Sequence, residues 1–174
     1  MFFLQMSGFP GSGKSTLSRE IAKRTGAIII DHDVTKTALM ETPEGAEMDG
    51  KTSGSISYQI DWSIIESILS QERSVIFDSP CLYQQMIKKG TDLAKKYHAA
   101  YKYVECYLDD FNEINNRLKK RESKISQIKE VQSLEDFKRT LETSKKPEGH
   151  RYLVVDTSAY LETYLDEVWD YLLE

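Results

Sequence analysis

Nine consecutive residues, Gly8-Phe9-Pro10-Gly11-Ser12-Gly13-Lys14-Ser15-Thr16, carry the most specific chemical signal in the chain. Glycines at this spacing let the backbone curl until its N–H groups face inward. A lysine and two hydroxyls follow the last of them. The pattern G-x-x-x-x-G-K-[ST] is a phosphate cradle when it follows a strand and opens a helix. At ordinary residue frequencies a chain of this length matches it by chance roughly once in a few hundred. Gly8, Phe9, Pro10, Gly11, Ser12, Gly13, Lys14, Ser15 and Thr16 are therefore expected to hold the phosphates of a nucleotide. Lys14 would meet the β- and γ-phosphates, and the Ser15 hydroxyl would ligate Mg²⁺.

Carboxylates follow two later apolar runs. Ser74-Val75-Ile76-Phe77 ends in Asp78, expected as the second Mg²⁺ partner, directly or through water. Ile28-Ile29-Ile30 ends in Asp31-His32-Asp33. An open α/β sheet binds its ligands beyond the carboxyl ends of its strands. Asp33 is there expected to orient or deprotonate an acceptor hydroxyl near the γ-phosphate. Asp31 is read as a helix cap and His32 as a loop residue.

A third cluster is basic. Residues 117–129 hold Arg117, Lys119, Lys120, Arg121, Lys124 and Lys129 against one acid, Glu122, in a chain of net charge −5. Arg117 and Arg121 are at i, i+4 spacing, which puts them on one helix face. Delivered by a closing segment, they would stabilise charge on a transferring phosphoryl group. Residues 117–133 are accordingly expected to form a lid; the alternative is a solvated basic face.

The elements that must carry these residues alternate. Short apolar or β-branched runs at 2–6, 27–30, 74–78, 102–108 and 151–155 predict five strands. Helical spacing predicts helices over 15–25, 31–40 and 84–97. It also predicts helices around Ile56 to Leu69, Phe111 to Leu118, Leu134 to Leu141 and Leu161 to Leu172. Residues 41–57, with three glycines and a proline, predict a mobile loop on the acceptor side. Strands alternating with helices give an α/β fold, a mainly parallel five-stranded sheet covered on both faces, with a small helical lid.

Composition bounds the function. The 174 residues make one domain over 1–174, and 40% hydrophobic residues exclude a disordered chain. The net acidic charge disfavours duplex binding by bulk charge. Cys81 and Cys106 form neither a disulfide scaffold nor a zinc pattern. No apolar run is long enough for a membrane span, and the opening residues lack a signal-peptide pattern. A cytoplasmic protein is expected. The D-x-x-G and N-K-x-D motifs of a GTPase switch do not occur; the asparagines are Asn112, Asn115 and Asn116.

These motifs together resemble the small P-loop kinases, a group that includes polynucleotide 5′-kinases, zeta toxins, adenylylsulfate kinases, gluconate kinases and chloramphenicol phosphotransferases. Asp31-His32-Asp33-Val34-Thr35-Lys36 resembles their D-G-D-x-x-R stretch, with His32 in place of the glycine and Lys36 in place of the arginine. Asp33 falls on the residue that handles the acceptor hydroxyl. Val75 to Ser79 is similar to the second magnesium motif, and Arg117 to Arg121 to the R-x-x-x-R opening of the lid. Leu153 to Ser158, with Asp156 and Thr157, resembles the strand and loop that close around adenine. The resemblance implies a P-loop NTPase fold and transfer of a phosphoryl group from ATP, with Mg²⁺, to a hydroxyl. A small metabolite, nucleoside or nucleotide is the expected acceptor, and a nucleic-acid 5′ end is less favoured. The alternative is a nucleotide-binding regulator or ATPase without an acceptor.

Overall fold

The computed structural model describes residues 1–174. Its five strands are β1 (Phe2–Ser7), β2 (Ile28–Asp31), β3 (Val75–Asp78), β4 (Ala100–Tyr107) and β5 (Leu153–Asp156). They form one sheet in the order β2-β3-β1-β4-β5, and all four pairings are parallel. The helices are α1 (Lys14–Thr25), α2 (His32–Met40), α3 (Pro43–Ala46), α4 (Gly50–Leu69), α5 (Gln84–Lys96), α6 (Phe111–Lys120), α7 (Leu134–Glu142) and α8 (Leu165–Leu173). This is the α/β sheet that the alternation predicts, in the P-loop NTPase fold that the resemblance implies.

Side chains of a strand alternate between faces, and both faces here are buried. Phe3, Val75, Phe77 and Tyr103 pack with Trp62, Ile65 and Leu69 of α4 and with Ile87 and Leu93 of α5. Leu4, Met6, Ile76, Val104 and Cys106 pack on the opposite side with Leu17 and Ile21 of α1 and Val168 of α8. A third cluster joins Leu108 and Phe137 to Ile114 and Leu118 of α6. It seats α6 and α7 beside the phosphate loop, where the Phe9 and Phe137 rings stand edge to face at 4.9 Å. Cys81 and Cys106 are buried free thiols, and burial pushes the Cys106 thiol up to about 12.

Two elements differ from the sequence reading. Residues 50–57 are not loop but the first two turns of α4. Asp49 caps them by accepting from the N–H groups of Lys51 and Thr52, both at 2.9 Å, and the short α3 precedes them. The expected C-terminal helix divides into a 3₁₀ turn at Leu161–Thr163 and α8. No helix is long and apolar enough to cross a membrane.

Candidate active site

Parallel pairing brings the carboxyl ends of β1, β2 and β3 to one edge. Asp31 and Asp78 occupy paired positions there. This edge opens onto a cavity of about 1450 Å³. A single small-molecule site measures roughly 300–1,000 Å³, so two reactants fit side by side.

The phosphate loop leaves β1 and lines that cavity. Gly8 has φ 128°, and a Cβ there would lie 2.2 Å from the Cys106 carbonyl oxygen of β4. Only glycine permits this approach. At Gly11 a Cβ would crowd Leu118 of α6 at 3.3 Å. Lys14 Nζ donates to the carbonyls of Gly8 at 2.8 Å and Phe9 at 3.0 Å. An ammonium has three donors, which leaves one for a phosphate. Burial lowers the pKa of Lys14, opposed chiefly by Asp78.

Asp78 is itself buried. Burial raises its carboxyl above the ordinary range, while Lys14 and the Ser15 hydroxyl oppose that rise. Asp78 and Ser15 are hard oxygen donors lining the same cavity. Mg²⁺ in nucleotide sites is held by one or two carboxylates together with substrate phosphates, so the donor set fits that ion. Ser79 Oγ and Arg121 Nε are sealed from solvent with no partner in the chain, and both residues line the cavity. Buried polar atoms are ordinarily bonded. Two orphans beside a phosphate cradle fit oxygen-rich ligands.

The carboxylates after β2 separate by role. Asp31 caps α2, accepting from the Asp33 N–H at 2.9 Å, and Lys124 Nζ lies 3.6 Å from its carboxylate. Asp33 lines the cavity, and its Oδ2 accepts from Gln127 Nε2 at 2.6 Å. Ser126 adds bonds to the Asp33 carbonyl at 3.2 Å and the Thr37 hydroxyl at 2.8 Å. Residues 124–127 thus close over the start of α2.

His32 is not a loop residue. It opens α2 and is buried, its Nδ1 lies 2.7 Å from Asp61 Oδ2 of α4, and its ring stacks on Tyr58 at 3.7 Å.

The two arginines line the cavity but do not share a helix face. Arg117 lies on α6, whereas Arg121 follows its last residue in extended conformation. Arg117 Nε donates to Glu113 at 2.8 Å and its NH2 group to the Thr157 carbonyl at 2.8 Å. Arg121 donates to the Ile128 carbonyl at 2.9 Å. Burial lowers the pKa of Arg121, and Asp33 opposes that shift. Asp33 also acts on the Lys14 charge, so the three charges form one group.

The remaining candidates divide. Thr157 lines the cavity with Ala159, Tyr160 and Tyr164. Asp156 does not line it. Its carboxylate accepts from the Ser158 N–H at 2.9 Å, and this bond lowers its pKa. Phe9 and Ser12 support the loop from behind, while Pro10, Gly11, Gly13, Lys14, Ser15 and Thr16 face the cavity.

A family model described as an AAA domain matches residues 4–144. Among curated proteins, none matches the chain in sequence. Solved structures share its fold. A protein from Chloroflexus aurantiacus described as a putative kinase superposes with a TM-score of 0.76 at 16% identity, covering 98% of this chain and 97% of that one. A sugar kinase from a Janibacter species gives 0.66 at 17% identity, covering 99% and 94%. A gluconokinase from Sinorhizobium meliloti gives 0.64 at 20% identity, covering 99% and 91%.

Proposed function

We propose that the chain, which belongs to the AAA domain family, is a phosphotransferase that moves the γ-phosphate of ATP to a hydroxyl of a small-molecule acceptor. One observation carries this reading. A single cavity, larger than one small-molecule site, is lined both by the phosphate loop and by Asp33, whose carboxylate Gln127 holds. An ATPase without an acceptor has no use for the space beyond its nucleotide. The names of the similar structures, a sugar kinase and a gluconokinase, support a small acceptor.

In this reading the loop N–H groups and the α1 N-terminus receive the phosphates, and Lys14 adds a point charge on the β- and γ-phosphates. Ser15 and Asp78 would hold Mg²⁺, which neutralises charge on the phosphate oxygens when bound. Thr157 and the exposed ring of Tyr160 border the base. The acceptor oxygen bonds to the γ-phosphorus, the bond to the β-phosphate oxygen breaks, and ADP leaves. The hydroxyl proton passes to Asp33. Arg121 stabilises charge on the transferring group, and the closed lid excludes water that would otherwise take the phosphoryl group.

The test is transfer from γ-labelled ATP to a panel of hydroxyl compounds, with the wild-type chain and Lys14→Ala. The expected result is Mg²⁺-dependent label in an organic product, abolished in the variant. Label released only as inorganic phosphate, at a rate indifferent to every acceptor, would replace the reading with an ATPase or nucleotide-binding regulator. Wild-type transfer by Lys14→Ala would remove the phosphate loop from the mechanism.

A further inference from the structure

The mechanism above leaves one buried polar pair at the cavity unused. Asp61 is wholly buried within α4. Its Oδ2 lies 2.7 Å from His32 Nδ1, and its Oδ1 has no partner. A desolvated carboxylate is costly unless it is bonded, and His32 is the group that meets this one. A carboxylate only accepts, so Nδ1 carries the proton. Nε2 is the ring nitrogen left for a ligand. Tyr58 lies parallel to the ring, 9° from coplanar, so the imidazole is fixed by stacking on its face and by a hydrogen bond at its edge. His32 nonetheless lines the cavity, and Nε2 makes no hydrogen bond in the chain and is not sealed from that space.

His32 spends Nδ1 on a buried anchor and leaves Nε2 without a partner in the chain, while His32 and Asp33, neighbours on the first turn of α2, both line the cavity. A ligand that meets both the Asp33 carboxylate and Nε2 needs at least two hydroxyls. The glycine that the resemblance places at position 32 offers no such atom. Sites built to receive a hydroxyl discriminate strongly against compounds that lack it, because the protein atom is then left unpaired.

We infer that His32, held by Asp61 and Tyr58, is an acceptor-binding residue whose Nε2 hydrogen-bonds a second hydroxyl. The acceptor is then a polyhydroxylated compound rather than a monohydric alcohol. The inference rests on the phosphotransferase reading and narrows its substrate class.

The experiment uses D-ribose, D-glucose, D-gluconate and glycerol, with deoxy analogues lacking one hydroxyl, simple monohydric alcohols and nucleosides. His32→Asn places an amide near the Nδ1 position, keeps a partner for Asp61 and removes Nε2. His32→Gln places an amide oxygen near Nε2. At least one polyol is expected to be phosphorylated, with its best deoxy analogue about tenfold or more poorer. His32→Asn raises the KM for the polyol about tenfold and erases that preference, with ATP affinity by calorimetry unchanged. His32→Gln restores part of the preference, which a merely structural histidine would not do. A second measurement needs no folded variant. With ¹⁵N-labelled histidine in the wild-type chain, which has three histidines, one Nε2 signal moves saturably with the polyol and not with its analogue.

The inference is overturned if His32→Asn keeps both the KM and the preference, or if a phosphorylated polyol leaves every Nε2 signal in place. It is also overturned if only monohydric alcohols or nucleosides insensitive to hydroxyl deletion accept phosphate. The phosphotransferase reading survives each of these outcomes. Absence of transfer to any compound removes both.

Discussion

Gln127 Nε2 donates to Asp33 Oδ2 across 2.6 Å, although 94 residues separate the two in sequence. Residues 121–133 are therefore fastened to the carboxylate assigned to the acceptor. In the proposed mechanism the other oxygen, Oδ1, is left for the reaction, and closing this segment and aiming that carboxylate become one event. Gln127→Ala should lower kcat by about tenfold, the order expected for a hydrogen bond to a charged group, with ATP affinity nearly unchanged. Amide exchange over 121–133 should quicken in the same variant. Unaltered exchange and unaltered kcat would detach the lid from Asp33. A double-mutant cycle with Asp33→Ala should show non-additive effects, because both changes remove one bond.

Asp33→Asn keeps the size of the side chain and an oxygen for Gln127, but it cannot receive a proton as an anionic base. Transfer should fall by about 10²–10⁴. A loose transition state puts the loss toward the low end. ATP and Mg²⁺ binding, followed by calorimetry, should hardly change. Asp31→Asn should cost far less, since asparagine caps a helix as well as aspartate and the Lys124 partner is partly exposed. A larger loss from Asp31→Asn would exchange the two assignments.

The arginines should separate kinetically. Arg117 ties α6 to the carbonyl of Thr157, the residue assigned to the base, so Arg117→Ala should weaken ATP binding about tenfold. Arg121 shares its surroundings with Asp33 and Lys14. Arg121→Ala should lower kcat by about 10²-fold with a smaller change in ATP affinity. Isotherms and single-turnover rates on both variants check this, and identical profiles would refute the division.

Asp78 should trade stability for function. Its carboxyl is raised above the ordinary value of 3.8 even with Lys14 beside it. At a pH below that ordinary value the group is neutral in both folded and unfolded chains and contributes no difference. As pH rises the unfolded chain ionises first, so the folded state loses stability until the folded group has titrated too. Asp78→Asn should therefore raise Tm at pH 7 while Mg²⁺-dependent transfer is lost. A gain of about 2–4 °C corresponds to about 1 kcal/mol at this chain length. The gain should vanish as the pH falls toward that ordinary value. A Tm that drops at pH 7 would mean the Lys14 partnership outweighs burial.

The features legible in the sequence were local. The phosphate loop is one contiguous motif, and each strand is a short apolar run, so their positions could be read directly. The start of α4 could not. Gly50 and Gly54 argue against a helix, and the buried positions Ser53, Ser57 and Asp61 are polar. The Ser57 hydroxyl satisfies itself by donating to the Ser53 carbonyl at 2.8 Å. The available signal was Asp49, a capping residue just before the first turn. Pairings across the fold left no trace. His32 and Asp61 are 29 residues apart, and neither they nor Gln127 belong to a recognisable spacing. Arg121 fell outside α6 because helical periodicity does not show where a helix ends.

In the proposed mechanism the charge on the lid segment gives closure a dependence on the surrounding electrolyte. A segment with six basic residues and one acid lies against Asp31 and Asp33, and its Lys124–Asp31 contact at 3.6 Å is partly open to solvent. Dissolved ions screen attractions beyond about 8 Å at 0.15 M ionic strength. The long-range pull that draws the open lid inward therefore weakens as salt is added. The bond between Gln127 and Asp33, at 2.6 Å far shorter than that distance, is much less affected. Salt should slow the approach of the lid more than it loosens the shut state, and turnover limited by closure would track the ionic strength of the medium.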